Sequence, residues 1–189
     1  VLTEPNVLTV SLSATITYNG YEVSCNGEKD GAVASTVSGG SGAGSYSYVW
    51  TGPDITSPND PNQINLGAGT YTLDVTDANG CTEQASITLT EPPLLQAVAA
   101  SAFDYNGFQV SCFGGNDGGI DLDTIGGVKP FTYAWTGPLG FVSNSQNLVG
   151  LRAGRYDITL TDANGCTATS VAYLFVEACT GGKIWNDRN

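Results

Sequence analysis

The chain has no histidine and no methionine, and only six lysines and arginines against eighteen acidic residues among 189. Without histidine there is no imidazole base, no Ser-His or Cys-His nucleophile pair and no histidine-ligated metal. With so few cations the net charge is −12. A nucleic-acid partner is thereby excluded, because phosphate contacts need clustered Lys and Arg. Acidity of this kind solvates a surface or offers oxygen ligands to calcium. No run of 18 apolar residues exists, so nothing here spans a membrane as a helix, and no signal peptide is recognisable. The opening VLTEP echoes ITLTEP at Ile87–Pro92, so residues 1–5 read as the end of a preceding repeat in a longer, secreted polypeptide.

What the sequence does have is glycine, 25 residues of it, and repetition. YNGYEVSC (Tyr18–Cys25) returns as YNGFQVSC (Tyr105–Cys112), 87 residues on. SYVWTGP around Trp50 matches TYAWTGP around Trp135 at an offset of 85, as LGAGTYTLDVTDANGCT (Leu66–Thr82) matches LRAGRYDITLTDANGCT (Leu151–Thr167). The two lost residues fall in the Gly-rich loop that precedes the tryptophan. After Cys166 the inward pattern Ala85, Ile87, Leu89 recurs one residue late, at an offset of 86, as Val171, Tyr173, Phe175, which implies an extra residue or bulge just past that cysteine. The organisation is a tandem repeat, 6–92 and 93–177. The joint is TEPPL (Thr90–Leu94), where a Pro-Pro pair holds the backbone extended and implies a stiff connector in an elongated rod.

Each unit reads as all-β. Tyr71, Leu73 and Val75 alternate with Thr72, Asp74 and Thr76, the period of a half-buried strand. Turn dipeptides (NG, DG, GG, AG) recur every 8–12 residues or so, and no segment keeps a helical period. Six or seven short strands per unit make a β-sandwich. A mid-unit tryptophan (Trp50, Trp135) and an L-x-A-G-x-Y segment ending in Tyr71 or Tyr156 fit the core Trp and tyrosine corner of an immunoglobulin-like sandwich. Leu73 and Ile158 stand where the antibody-type cysteine would be.

Five cysteines fall at Cys25, Cys81, Cys112, Cys166 and Cys179. Each unit owns one early and one late cysteine, which favours Cys25–Cys81 and Cys112–Cys166 bonds. Loops of this size would add roughly 4 kcal/mol each in the chain-entropy picture. Cys179 is left over, free or paired outside the chain. A zinc site fails for want of four ligands per unit.

Together, VSCxGxxDG, GGxxxxTYxWTG, LxAGxYxxTxTDANGCT and TEP resemble the SprB repeat of Bacteroidetes surface proteins over nearly all of residues 6–177. The resemblance implies immunoglobulin- or PKD-like modules in very large, repetitive cell-surface adhesins, some associated with gliding motility and exported by the type IX system. It implies an extracellular location, with attachment to the outer membrane through other parts of the parent chain. Its implied partners are neighbouring repeats, surface polysaccharide or other cell-surface proteins. At the end of the second unit VEAC (Val176–Cys179) replaces TEPP. The tail GGKIWNDRN (Gly181–Asn189) resembles the start of an SdrD-type B domain, so residues 178–189 read as a linker or the start of such a domain. Asp187 would belong to its calcium loop.

The leading functional expectation is a structural or adhesive module, without catalysis and without a required cofactor. The alternative is a calcium- or carbohydrate-binding module. Asp30 and Asp117 in the D-G turns, with Asp77 and Asp162 in TDANGC, are the candidate calcium ligands, and the expected disulfide would bring the two loops together. The same D-x-N-G pattern also makes a tight turn unaided. Tyr21 and Phe108 are candidate sugar-stacking aromatics. Asp123-Thr124-Ile125 resembles the D-S/T-aliphatic O-glycosylation pattern of Bacteroidetes, with Thr124 as acceptor; the competing reading is an ordinary strand residue.

Overall fold

The computed structural model describes residues 6–41 and 45–176. The first five residues, Cys179 and the Gly181–Asn189 tail with Asp187 lie outside them. The chain divides into two compact units between Leu94 and Leu95, and every regular element described is a strand apart from one 3-10 turn at Pro138–Gly140.

In the first module β1 (Thr9–Ala14), β2 (Gly31–Ser38) and β4 (Gln63–Leu66) form one antiparallel sheet, and β3 (Ser47–Thr51), β5 (Gly69–Thr76) and β6 (Thr82–Leu89) form the other. Alternation decides which side chains meet between them. Tyr71, Leu73 and Val75 of β5 are fully buried, and they pack with Trp50, Val33, Leu66 and Leu89. The hydrophobic gain from burying each large side chain is about 2–3 kcal/mol. In the second module β7 (Gln96–Ser101), β8 (Gly118–Ile125) and β11 (Leu148–Leu151) face β9 (Thr132–Gly137), β10 (Phe141–Ser143), β12 (Gly154–Thr161) and β13 (Thr167–Leu174). Trp135, Tyr156, Ile158, Leu160, Ile120 and Leu122 are buried there.

Both tyrosine corners form. The Tyr71 hydroxyl donates to the Gly67 carbonyl at 2.9 Å and the Tyr156 hydroxyl to that of Arg152 at 3.0 Å, each four residues back. The repeated TGP has its reason here. A methyl group on Gly52 would lie 2.4 Å from the Tyr71 ring, and one on Gly137 would lie 2.6 Å from the Tyr156 ring. Only glycine lets the strand after the tryptophan pass that close to the corner tyrosine.

The expected bulge after Cys166 does not exist. β12 and β13 pair without interruption from Gly154↔Leu174 to Thr161↔Thr167, as β5 and β6 do from Gly69↔Leu89 to Thr76↔Thr82. The 85-residue offset therefore continues: Ile87 corresponds to Ala172 and Leu89 to Leu174. Ala172 and Leu174 are buried, while Val171, Tyr173 and Phe175 are exposed. β13 carries apolar side chains on both faces, so its own alternation is ambiguous; the fixed length of the TDANGC turn sets the register.

Candidate functional site: the cysteine-bearing ends of each module

The TDANGC turn closes one end of each sandwich. Asp77 Oδ1 accepts from the amides of Asn79 (2.9 Å) and Cys81 (2.8 Å), and its Oδ2 accepts from the Ser41 amide at 2.7 Å. Asp162 repeats the set with Asn164, Cys166 and Val128, each at 2.9 Å. The aspartate therefore makes the turn and ties it to the loop that follows β2 or β8. Both carboxylates are buried, at 5% and 6% exposure. The amides, that of Ser41 foremost, hold the Asp77 carboxyl below the usual carboxylate range. The chain enters the module beside this turn: Gly40 receives Leu8 and Asp77 at its Cα, and Gly127 receives Leu95 and Asp162.

The VSC loop sits at the other end. Asp30 accepts from the Ser24 amide at 3.0 Å and Asp117 from the Ser111 amide at 3.1 Å. Ser111 holds the Asp117 carboxyl below its ordinary value. For Asp30, burial works upward, and the Ser24 bonds outweigh it. The chain leaves the module alongside. Val23 and Val110, both fully buried, donate their amides to Thr90 and Phe175.

The two ends are far apart. Asp30 precedes β2 and Gly40 follows it, so eight residues of extended chain, roughly 25 Å, separate the VSC loop from the TDANGC turn. A disulfide tolerates a Cα separation below about 7 Å. Neither expected intra-module bond forms: Cys25 and Cys166 stand in disulfides, whereas Cys81 and Cys112 are free thiols. The expectation failed because early and late cysteines are neighbours in the repeat's inventory but not in the sandwich. The D-G turn and TDANGC are not brought together either. Asp30 and Asp77 belong to opposite ends, as do Asp117 and Asp162, and among the described residues no three Asp, Glu or Cys side chains gather as a metal would need.

Each free thiol lines an open hollow. Around Cys81 it is about 300 Å³, shared with Val7, Leu8, Asp77 and Glu83. Around Cys112 it is about 320 Å³, shared with Phe113, Leu139, Arg152 and Val176. Phe113 and Leu139 are 82% and 88% exposed, so this second hollow is rimmed by apolar groups in water.

The remaining candidates take ordinary places. Tyr21 and Phe108 are half-buried and close type I′ hairpins with Tyr18 and Tyr105; Asn19 and Gly20, or Asn106 and Gly107, supply the positive φ that turn needs. Thr124 lies on the core-facing side of β8, and its Oγ1 is buried without a hydrogen-bond partner. The folded module does not present that hydroxyl to a glycosyltransferase. Sequence reading missed Asn62 and Asn147, whose side-chain oxygens accept from the Ser35 and Leu122 amides at 3.0 Å. The signal was available, since the two asparagines hold the same place in both repeats.

The chain matches the SprB repeat model at residues 13–54 and again at 109–140. No curated protein matches it. Among solved structures it is similar to the C-terminal 282-residue fragment of intimin, solved with the intimin-binding domain of its translocated receptor. The identity is 14% and the TM-score 0.42, over 89% of this chain and 64% of that one. It is also similar to the N-terminal four Ig domains of a Dscam1 isoform, at 14% identity and TM-score 0.38, over 93% of this chain and 47% of that one. The chain thus spans about half to two thirds of these two solved chains. One matched segment falls in each of the two modules.

Proposed function

We propose that this chain is a load-carrying, adhesive stalk segment of a large cell-surface protein, in which the repeats position ligand-binding parts rather than perform chemistry. One observation carries the reading: the aspartates repeated in TDANGC spend their oxygens on backbone amides that close a module end. The strongest repeated polar motif therefore serves to hold the module together. Export by the type IX system and a part in gliding belong to the same proposal and rest on the family resemblance. Single-molecule pulling of the chain tests it. Two unfolding events of similar size, each resisting more force than typical unpaired loops, are expected; gradual extension without discrete events would refute a load-bearing role.

Two narrower roles attach to the same surface. Tyr173 and Phe175 of the second module stack with ring centres 6.3 Å apart and planes 14° from parallel, in water. That favours contact with a glycan, since apolar sugar faces pack on aromatic rings. Titration of surface polysaccharide against Tyr173→Ser would lose the binding if the pair makes it. For calcium, Asp30, Asp77, Asp117 and Asp162 are the ligands to test. With their oxygens already accepting amides, millimolar calcium is expected to leave the melting temperature unchanged, and an upward shift of several degrees would establish a site.

A further inference from the structure

The two repeats act as controls for one another. Cys25 and Cys112 occupy one position of the VSC loop, and Cys81 and Cys166 occupy one position of TDANGC. At each position one repeat holds a disulfide and the other a thiol: Cys25 and Cys166 are bonded, Cys112 and Cys81 are free. Position therefore does not decide whether the cysteine is oxidised. Nor can the module mate serve as partner, because the length of β2 or β8 keeps the two loops roughly 25 Å apart. Each thiol also stands in a hollow, and the one at Cys112 is rimmed by exposed Phe113 and Leu139. In the first module the same end is filled differently. There Asn26 and Gly27 donate to Glu91, each at 2.7 Å.

We infer that Cys81 and Cys112 are linkage ports, each made to receive the complementary cysteine loop of another SprB repeat. The partner of Cys81 is a VSC-loop cysteine, and the partner of Cys112 is a TDANGC cysteine. Repeats joined this way form a covalent head-to-tail series in which pulling force passes through disulfides as well as through the peptide connector. The apolar rim around Cys112 supplies the docking surface that brings the thiols together. In the bond-forming step two thiols lose two protons and two electrons and become one S–S bond. A disulfide oxidant such as glutathione disulfide accepts them and leaves as two glutathione thiols. The inference rests on the stalk reading for its biological sense, but not for its chemistry.

The test uses the full chain with Cys179→Ser, so that only the two ports compete, and a second copy stands in for the neighbouring repeat. In a glutathione redox buffer the protein should grow into a ladder of oligomers joined by Cys81–Cys112 peptides. Cys81→Ser and Cys112→Ser should each remain monomeric when alone. Mixed together they should give a dimer and nothing larger, through the one surviving complementary pair. Equal dimerisation of either variant alone would overturn the inference, as would monomers throughout, or a Cys25–Cys81 or Cys112–Cys166 peptide in the digest. Phe113→Ser should slow the dimerisation of the mixture several-fold without altering either fold by circular dichroism. If the pulling experiment fails while the mixed dimer forms, the stalk reading falls and the ports stand; the reverse result separates them the other way.

Discussion

Beyond the aspartate that both VSC loops share (Asp30, Asp117), the first module fastens this end with three further carboxylates where the second has neutral groups. Glu22 accepts from the Thr90 amide (2.8 Å) and hydroxyl (2.7 Å), Glu91 binds Asn26 and Gly27, and Asp54 pairs with Lys29 and accepts from the Gly67 amide. Their counterparts in the second module are Gln109, Val176 and Leu139. Gln109 accepts from the Phe175 amide at 3.0 Å, and Val110 and Val176 meet in an isolated bridge. At these three positions the same backbone path is thus held by ions in one copy and by an amide and apolar contact in the other. The lesson is that the repeat conserves geometry between its copies and leaves the chemistry at that end free to vary.

The largest way to break the comparison is at what the copies share. Trp50→Ala and Trp135→Ala should each cost about 3–5 kcal/mol, since both indoles are buried and both donate to a carbonyl, Asp60 at 2.9 Å and Ser145 at 3.0 Å. Chemical denaturation followed by far-UV circular dichroism reads it. A cost below 1 kcal/mol in either copy would mean that its core is arranged differently. Next are the corner tyrosines. Tyr71→Phe and Tyr156→Phe each remove the hydroxyl that bonds the corner carbonyl, at a cost of about 1 kcal/mol. Tyr71 differs in having Asp54 within 3.4 Å of its hydroxyl; burial first, then this carboxylate, pushes its pKa up to about 12. Spectrophotometric titration should place one tyrosine well above the rest, and Asp54→Asn should lower it.

Thr124→Val should raise stability by up to about 1 kcal/mol, because it replaces a buried hydroxyl that has no partner by a methyl of similar shape. The first repeat already has Val37 at the equivalent place. A melting temperature that falls would show that the hydroxyl is satisfied after all.

The smallest expected effect is in acid. Glu22 is held below its ordinary pKa by the Thr90 amide, and Asp54 is held below its own by Lys29. A depressed folded-state pKa gives stability that is present above the unfolded value, near 4, and is lost as pH falls through the folded value. With no such carboxylates at Gln109 and Leu139, the second module keeps more of its stability. Pepsin digestion between pH 5 and pH 2, mapped by mass, should therefore cut within residues 6–94 before it cuts within the second unit. Exposure of these groups and screening keep the difference modest.

Much of this was legible because alternation and repetition are local signals. Tyr71, Leu73 and Val75 declared a half-buried strand, and Trp50 and Trp135 declared a core. The spacing of Leu66 to Tyr71 announced the corner that the Tyr71 hydroxyl then closes. The failures came where two faces or two ends had to be told apart. β13 could be read in either register, since Ala172 and Leu174 alternate with the equally apolar Val171, Tyr173 and Phe175. The cysteine pairs were drawn from counting, which carries no distance.

By itself, then, the sequence determined the class of fold, the repeat, the turns and the core, because each depends on residues within a few positions of one another. Only the tertiary structure decided that Asp77 and Asp162 reach across to the loops after β2 and β8. It alone decided that Thr124 is sealed against the core and that the two cysteines of a module stand at opposite ends. Those are distances through space, set by the length of an eight-residue strand, and no local pattern contains them.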